Sequence, residues 1–81
     1  MNKPFRMSEQ AQDIIQAVVD FSTRKKAIWL VARMQSGRRL ISTPAPFDVD
    51  AVLRAVDYEK GTVEFTICFT DREPKFYRVV L

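Results

Sequence analysis

The sequence predicts a small α+β domain, one amphipathic helix followed by a compact antiparallel sheet. Three observations carry that expectation. Apolar residues recur at three- and four-residue spacing from Ala11 to Val19, they alternate with polar ones from Val63 to Phe69, and a polar turn at Gln35-Ser36-Gly37-Arg38 separates two strand-like runs. Eighty-one residues make a single domain. A chain this short buries only about 60% of its unfolded surface, so assembly into a homo-oligomer is a physical option.

Residues 1–7 read as a loose N-terminal tail and 8–81 as the domain. Ser8 is placed to cap a helix whose first turn carries Glu9, where a carboxylate suits the positive end of the helix dipole. Ala11, Ile14, Ile15, Val18 and Val19 then form one face over about four turns, with Gln10, Gln12, Asp13, Gln16 and Asp20 on the other. Arg24, Lys25 and Lys26 follow the last turn, where cations match the negative end of the dipole.

The next run is a strand. Ile28, Leu30, Ala32 and Met34 share one of its faces, and Trp29, Val31, Arg33 and Gln35 share the other. Both faces begin apolar, which predicts a central or sandwiched strand. Ser36-Gly37 supplies the turn, Arg39 to Thr43 returns, and Pro44 and Pro46 end regular pairing. The segment 47–60 admits two readings. Val49, Val52, Leu53 and Val56 fit a helix capped by Asp48 and ended by Gly61, whereas Val52, Val56 and Tyr58 fit a strand that turns at Tyr58-Glu59-Lys60-Gly61. The strand is favoured here, because Gly61-Thr62-Val63 leads directly into the cleanest alternation in the chain. A last strand runs from Phe76 to Leu81 after Asp71 to Pro74 interrupts the pattern. The outcome is a sheet of four or five strands, or a partly open β-barrel, with a helix on its open side; a helical 47–60 would give an α-β-β-α-β-β sandwich instead.

Composition narrows the chemistry. There is no histidine, only one cysteine (Cys68), and only two glycines (Gly37 and Gly61). A zinc site, a Cys-His nucleophile and a glycine-rich phosphate loop are therefore not expected, and Asp48 with Asp50 is too sparse for a metal site. The sequence predicts no cofactor, no bound metal and no enzyme. With no apolar run of membrane-spanning length and a lone cysteine suited to a reducing compartment, a cytoplasmic protein without a membrane partner is expected.

Charge points to a binding module. Between Asp20 and Asp48 the chain holds six cations and no acid, on a net charge of +3. Such segregation attracts anions at a distance. Arg38 and Arg39 leave the hairpin turn where their guanidinium forks reach phosphates, with Arg24, Lys25 and Lys26 at the other end of the strand pair. Trp29 has to be covered by the helix, a partner subunit or a ligand if Ile28, Leu30 and Met34 face the core. Phe76, Tyr77 and Arg78 lie in a terminal strand, and a terminal strand is often an edge open to pairing with another chain.

The order of helix, basic link, Ile28-Trp29-Leu30-Val31, polar turn with Gly37, and Leu40-Ile41-Ser42 resembles two families. One is the Sm-like fold of Hfq-type RNA-binding proteins, whose helix precedes a small barrel that closes into a ring. The other is the N-terminal domain of bacterial flagellar-brake proteins, which precedes a PilZ domain; Val52 to Phe65 looks like its strand-turn-strand stretch. There Arg72-Glu73-Pro74-Lys75-Phe76-Tyr77-Arg78-Val79 is similar to the arginine-rich entrance of PilZ, which implies cyclic di-GMP sensing through Arg72, Lys75 and Arg78, although Pro74 stands where that entrance has an arginine. The sequence thus predicts a non-enzymatic regulatory or adaptor module that meets nucleic acid through its basic hairpin. The alternatives are a protein-interaction module using the terminal strand and Trp29 against an acidic protein surface, and a cyclic-dinucleotide sensor.

Overall fold

A computed structural model describes residues 5–81, in which two helices lie on one side of a four-stranded antiparallel sheet. The elements are α1 (Glu9–Arg24), β1 (Trp29–Met34), β2 (Arg39–Pro44), α2 (Val49–Val56), β3 (Thr62–Cys68) and β4 (Lys75–Val80). Spatially the strands run β2-β1-β3-β4. The predicted α+β class holds.

Local chemistry sets each boundary. Ser8 sits in extended backbone and its Oγ accepts from the Ala11 N–H at 3.1 Å, satisfying one of the unpaired donors at the start of α1. The far end of α1 closes in a Schellman arrangement. Lys26 takes a left-handed φ of 61°, its N–H donates to the Thr23 carbonyl at 3.1 Å, and the Ala27 N–H donates to the Ser22 carbonyl at 2.9 Å. Gly37, at φ 95°, turns the β1–β2 hairpin, with the Met34 N–H donating to the Arg38 carbonyl.

The segment 47–60 corrects the favoured reading. It forms helix α2, not a strand: the Asp48 carboxylate accepts from the N–H groups of Asp50 and Ala51, and Val52, Leu53 and Val56 are buried. Area explains why. Four strands about 4.8 Å apart present a face about 14 Å wide, and one helix about 10 Å across leaves part of it uncovered. A fifth strand would have widened the face with nothing to cover it. The helix also solves a connection. β2 and β3 run parallel with β1 between them, so the chain has to return over β1 along one face of the sheet, which a hairpin cannot do. The sheet is correspondingly open, with β2 and β4 as edges, and the expectation of a barrel fails with the fifth strand.

The core lies between the helices and one sheet face. Ile15, Val19, Val52 and Val56 meet Leu30, Ala32, Val63, Phe65, Ile67 and Val79 there, all at most 2% exposed. The strand residues share that face because the register pairs Leu30 with Ile67, Ala32 with Phe65 and Val63 with Val79. α1 packs toward β4 and α2 toward β2. Phe5 to Met7 do not belong to a loose tail. The Asp57 carboxylate accepts from the N–H groups of Arg6 (2.8 Å) and Met7 (3.1 Å), and the Met7 side chain joins the core. The rest of that expected tail, 1–4, lies outside the described residues.

Candidate functional site: the open face of the sheet

Among the described residues, both helices cover one face of the sheet and leave the other uncovered. Strand alternation fixes what the uncovered face carries, because each residue shares a face with its register partner. One row across the four strands reads Arg39, Arg33, Glu64, Arg78. The adjacent row reads Ser42, Val31, Thr66, Phe76, and the next is Pro44, Trp29, Cys68. A cationic row therefore runs beside two rows of apolar and small polar groups.

The cationic row is internally organised. The Glu64 carboxylate lies 3.5 Å from the Arg78 guanidinium and directly opposite Arg33. Arg33, Met34, Gln35, Gly37, Thr62, Glu64 and Arg78 line a shallow depression of about 250 Å³. Three arginines against one glutamate leave the row net positive. The acids lie mostly on the helical side. Of the ten, Glu9, Asp13 and Asp20 belong to α1, and Asp48, Asp50, Asp57 and Glu59 to α2 or its flanks. Most carboxylates thus lie on the helical side, together with Arg6, Arg24 and Arg54, while Arg33, Arg39 and Arg78 share the open face with a single acid, Glu64.

The apolar rows hold two large exposed rings. Trp29 is 40% exposed and Phe76 59%. The helix does not cover Trp29, because the helices occupy the opposite face. The Trp29 Nε1–H donates to the Ser42 Oγ at 2.8 Å, which draws the indole along the face toward the row of Val31. Val31 is only 9% exposed although it lies outside the helix-side core, consistent with an indole lying across it.

Several residues singled out in the sequence are accounted for otherwise. Arg38 pairs with Glu59 at 2.5 Å, across the turn from the α2–β3 connection, with its side chain still largely exposed. Arg24, Lys25 and Lys26 are exposed at the α1 end and lead into Trp29 through Ala27 and Ile28, at the opposite end of β1 from Arg38 and Arg39. The trio in β4 divides: Phe76 and Arg78 face outward, while Tyr77 turns to the helix side and meets Phe21 edge-on, ring centroids 5.8 Å apart. Arg72, Lys75 and Arg78 do not converge either. Arg72 lies over the Phe69 ring and beside Asp71, and Lys75 is opposite Ile67, on the other face from Arg78. Asp48 caps α2 and Asp50 pairs with Arg54 at 2.6 Å. Among the described residues no cluster of potential metal ligands forms, and no helix is long and apolar enough to cross a membrane.

Arg33, Glu64 and Phe76 as members of one surface were not found in the sequence. Alternation places Arg33 beside Trp29 on one strand face, but only the β1–β3 and β3–β4 pairings bring Glu64, Phe76 and Arg78 alongside them. No family model matches this chain, and no curated protein or solved structure is significantly similar to it.

Proposed function

We propose that this chain is a non-enzymatic module that binds nucleic acid on the open face of its sheet. The observation that carries the reading is the make-up of the uncovered face: Arg33, Arg39 and Arg78 share it with an exposed Trp29 and only one acid, Glu64. Guanidinium groups pair with phosphates through parallel N–H donors, and aromatic rings offer stacking surface to bases. The site differs from the one expected at the hairpin tip. Arg39 belongs to both, whereas Arg33 and Arg78 replace Arg38 as the principal phosphate contacts. Glu64 steadies Arg78 and keeps the row from being uniformly cationic.

The test is binding of short oligonucleotides as a function of salt. Three phosphate contacts on a single strand give a slope of log K against log salt of about −2. Replacing Arg33 or Arg78 by Ala is expected to make the slope shallower by about 0.7 each, and Arg38→Ala to leave it unchanged. Affinity independent of salt overturns the reading.

A second reading has its own support. Val80 is 74% exposed and lies with Phe76 on edge strand β4, a surface suited to pairing with another chain. Light scattering on the purified protein separates the two, because an adaptor working through β4 self-associates or captures protein without any oligonucleotide.

A further inference from the structure

The two exposed rings are too far apart for stacked neighbours. Trp29 stands on β1 and Phe76 on β4, with β3 between, and their rows differ by two residues. Two strand spacings and one two-residue step place their backbones about 12 Å apart. Stacked bases in a duplex are separated by about 3.4 Å along each strand and present only their edges to a protein. No duplex lays two base planes flat on rings at that separation.

The rings also offer little besides π surface. The Trp29 indole N–H is already bonded to Ser42, so its polar edge is satisfied and its orientation fixed before any ligand arrives. Phe76 has no polar atom. Between them the face is low and small, Thr66 and Cys68 on β3, with the arginine row along one side.

We infer that the open face binds an unpaired strand, one base stacking on Trp29, a second on Phe76, and at least one nucleotide bridging between them over Thr66. Arg33 and Arg78 contact the phosphates that flank the bridge. This rests on the nucleic-acid reading and adds two things, that the strand is single and that its shortest full footprint is about three nucleotides. Stacking on aromatic side chains tolerates any base, so the platform discriminates strandedness rather than sequence.

Trp29 is the only tryptophan, so its fluorescence reports on its own site. The experiment titrates the protein with a mixed-sequence DNA single strand, its RNA equivalent, the DNA duplex, and a length series from di- to hexanucleotide. The expected result is saturable quenching by single strands, affinity at least about tenfold weaker for the duplex, and a jump in affinity once the oligonucleotide exceeds two nucleotides. Phe76→Leu is expected to lower single-strand affinity about five- to hundredfold while leaving the salt slope intact, and Trp29→Leu, followed by anisotropy of a labelled strand, to do the same. Binding of duplex and single strand with equal affinity, or binding without quenching, overturns the platform and leaves a charge-driven nucleic-acid module. No binding of any oligonucleotide at low salt overturns the module itself. A dimer that shields Trp29 from solvent in the absence of nucleic acid assigns the face to a second copy and overturns the platform.

Discussion

The two faces of one sheet are built from the same strands and have opposite characters. On the helix side every inward residue of β3 is fully buried: Val63, Phe65 and Ile67 at 0% exposure. On the open side the alternating partners are Thr62, Glu64, Thr66 and Cys68, all half-buried. A strand with one apolar and one polar face normally leaves the polar face to water, and β3 does so. β1 and β4 depart from that pattern, placing Val31, Trp29, Phe76 and Val80 on the uncovered side. An apolar group exposed singly is ordinary; several on the one face that lacks a covering layer, beside a row of arginines, are the surface on which the proposed function rests.

The largest expected effect separates the faces by stability. Phe65 is enclosed between the helices and Ala32 and Tyr77 on neighbouring strands, so Phe65→Ala removes a ring and leaves a cavity. A loss of about 3–5 kcal/mol is expected, a large share of the stability of a domain this small. Phe76→Ala, one row away but on the open face, is expected to change stability by no more than about 0.5 kcal/mol. Urea unfolding followed by circular dichroism measures both. A comparable loss at Phe76 would mean that the open face is covered in the folded protein, by a second copy or by the chain itself.

The next effect asks whether the covered side is closed at its N-terminal end. The buried Asp57 carboxylate accepts from two backbone N–H groups, Arg6 and Met7, and so fixes Met7 in the core. Asp57→Ala strands both amides and is expected to cost about 1–3 kcal/mol by the same unfolding measurement. Asp57→Asn keeps an acceptor oxygen and is expected to cost less. Equal losses for the two would show that the carboxylate's charge, rather than its acceptor geometry, holds the segment.

How much of this was readable in the chain follows from how local each feature is. The cap at Ser8, the α1 stripe, the Ser36-Gly37 turn and the β3 alternation depend on residues within a few positions of one another, and the structure has them, except that Ile14 lies at the edge of the stripe and is 43% exposed. The segment 47–60 was misread because Val52 and Val56 suit either period over so short a stretch. Coverage of the sheet by α2 and the crossing from β2 to β3 settle it, and both are tertiary facts. The proposed surface was legible in part. Trp29 and Arg39 were found as sequence neighbours of a charge cluster, and Arg78 as part of a terminal strand. Their common face with Arg33, Glu64 and Phe76 depends on strand order, which no local pattern encodes. The Arg38–Glu59 pair is equally invisible locally, since the two residues are 21 positions apart in sequence.

The smallest effect tests whether the link after α1 belongs to the open face or only to the helix. Lys26 occupies the left-handed position of the Schellman closure, where glycine is the usual residue. Relieving the Cβ clash by Lys26→Gly gains about 1–2 kcal/mol, which the greater freedom of glycine in the unfolded chain offsets by about 0.5–1. Removing a cation from the negative end of the helix costs a further 0.3 kcal/mol or so. The balance is a gain of about 0.5 kcal/mol, readable as a slightly higher urea midpoint. If Lys26 is a cap and nothing else, the same variant leaves the salt slope of oligonucleotide binding unchanged. If the strand bound at Trp29 runs on past Ile28 to the end of α1, the slope becomes shallower by about 0.7, the signature of one lost phosphate contact. A variant that is more stable and yet binds with a shallower slope would extend the cationic surface beyond the arginine row, to the opposite end of β1.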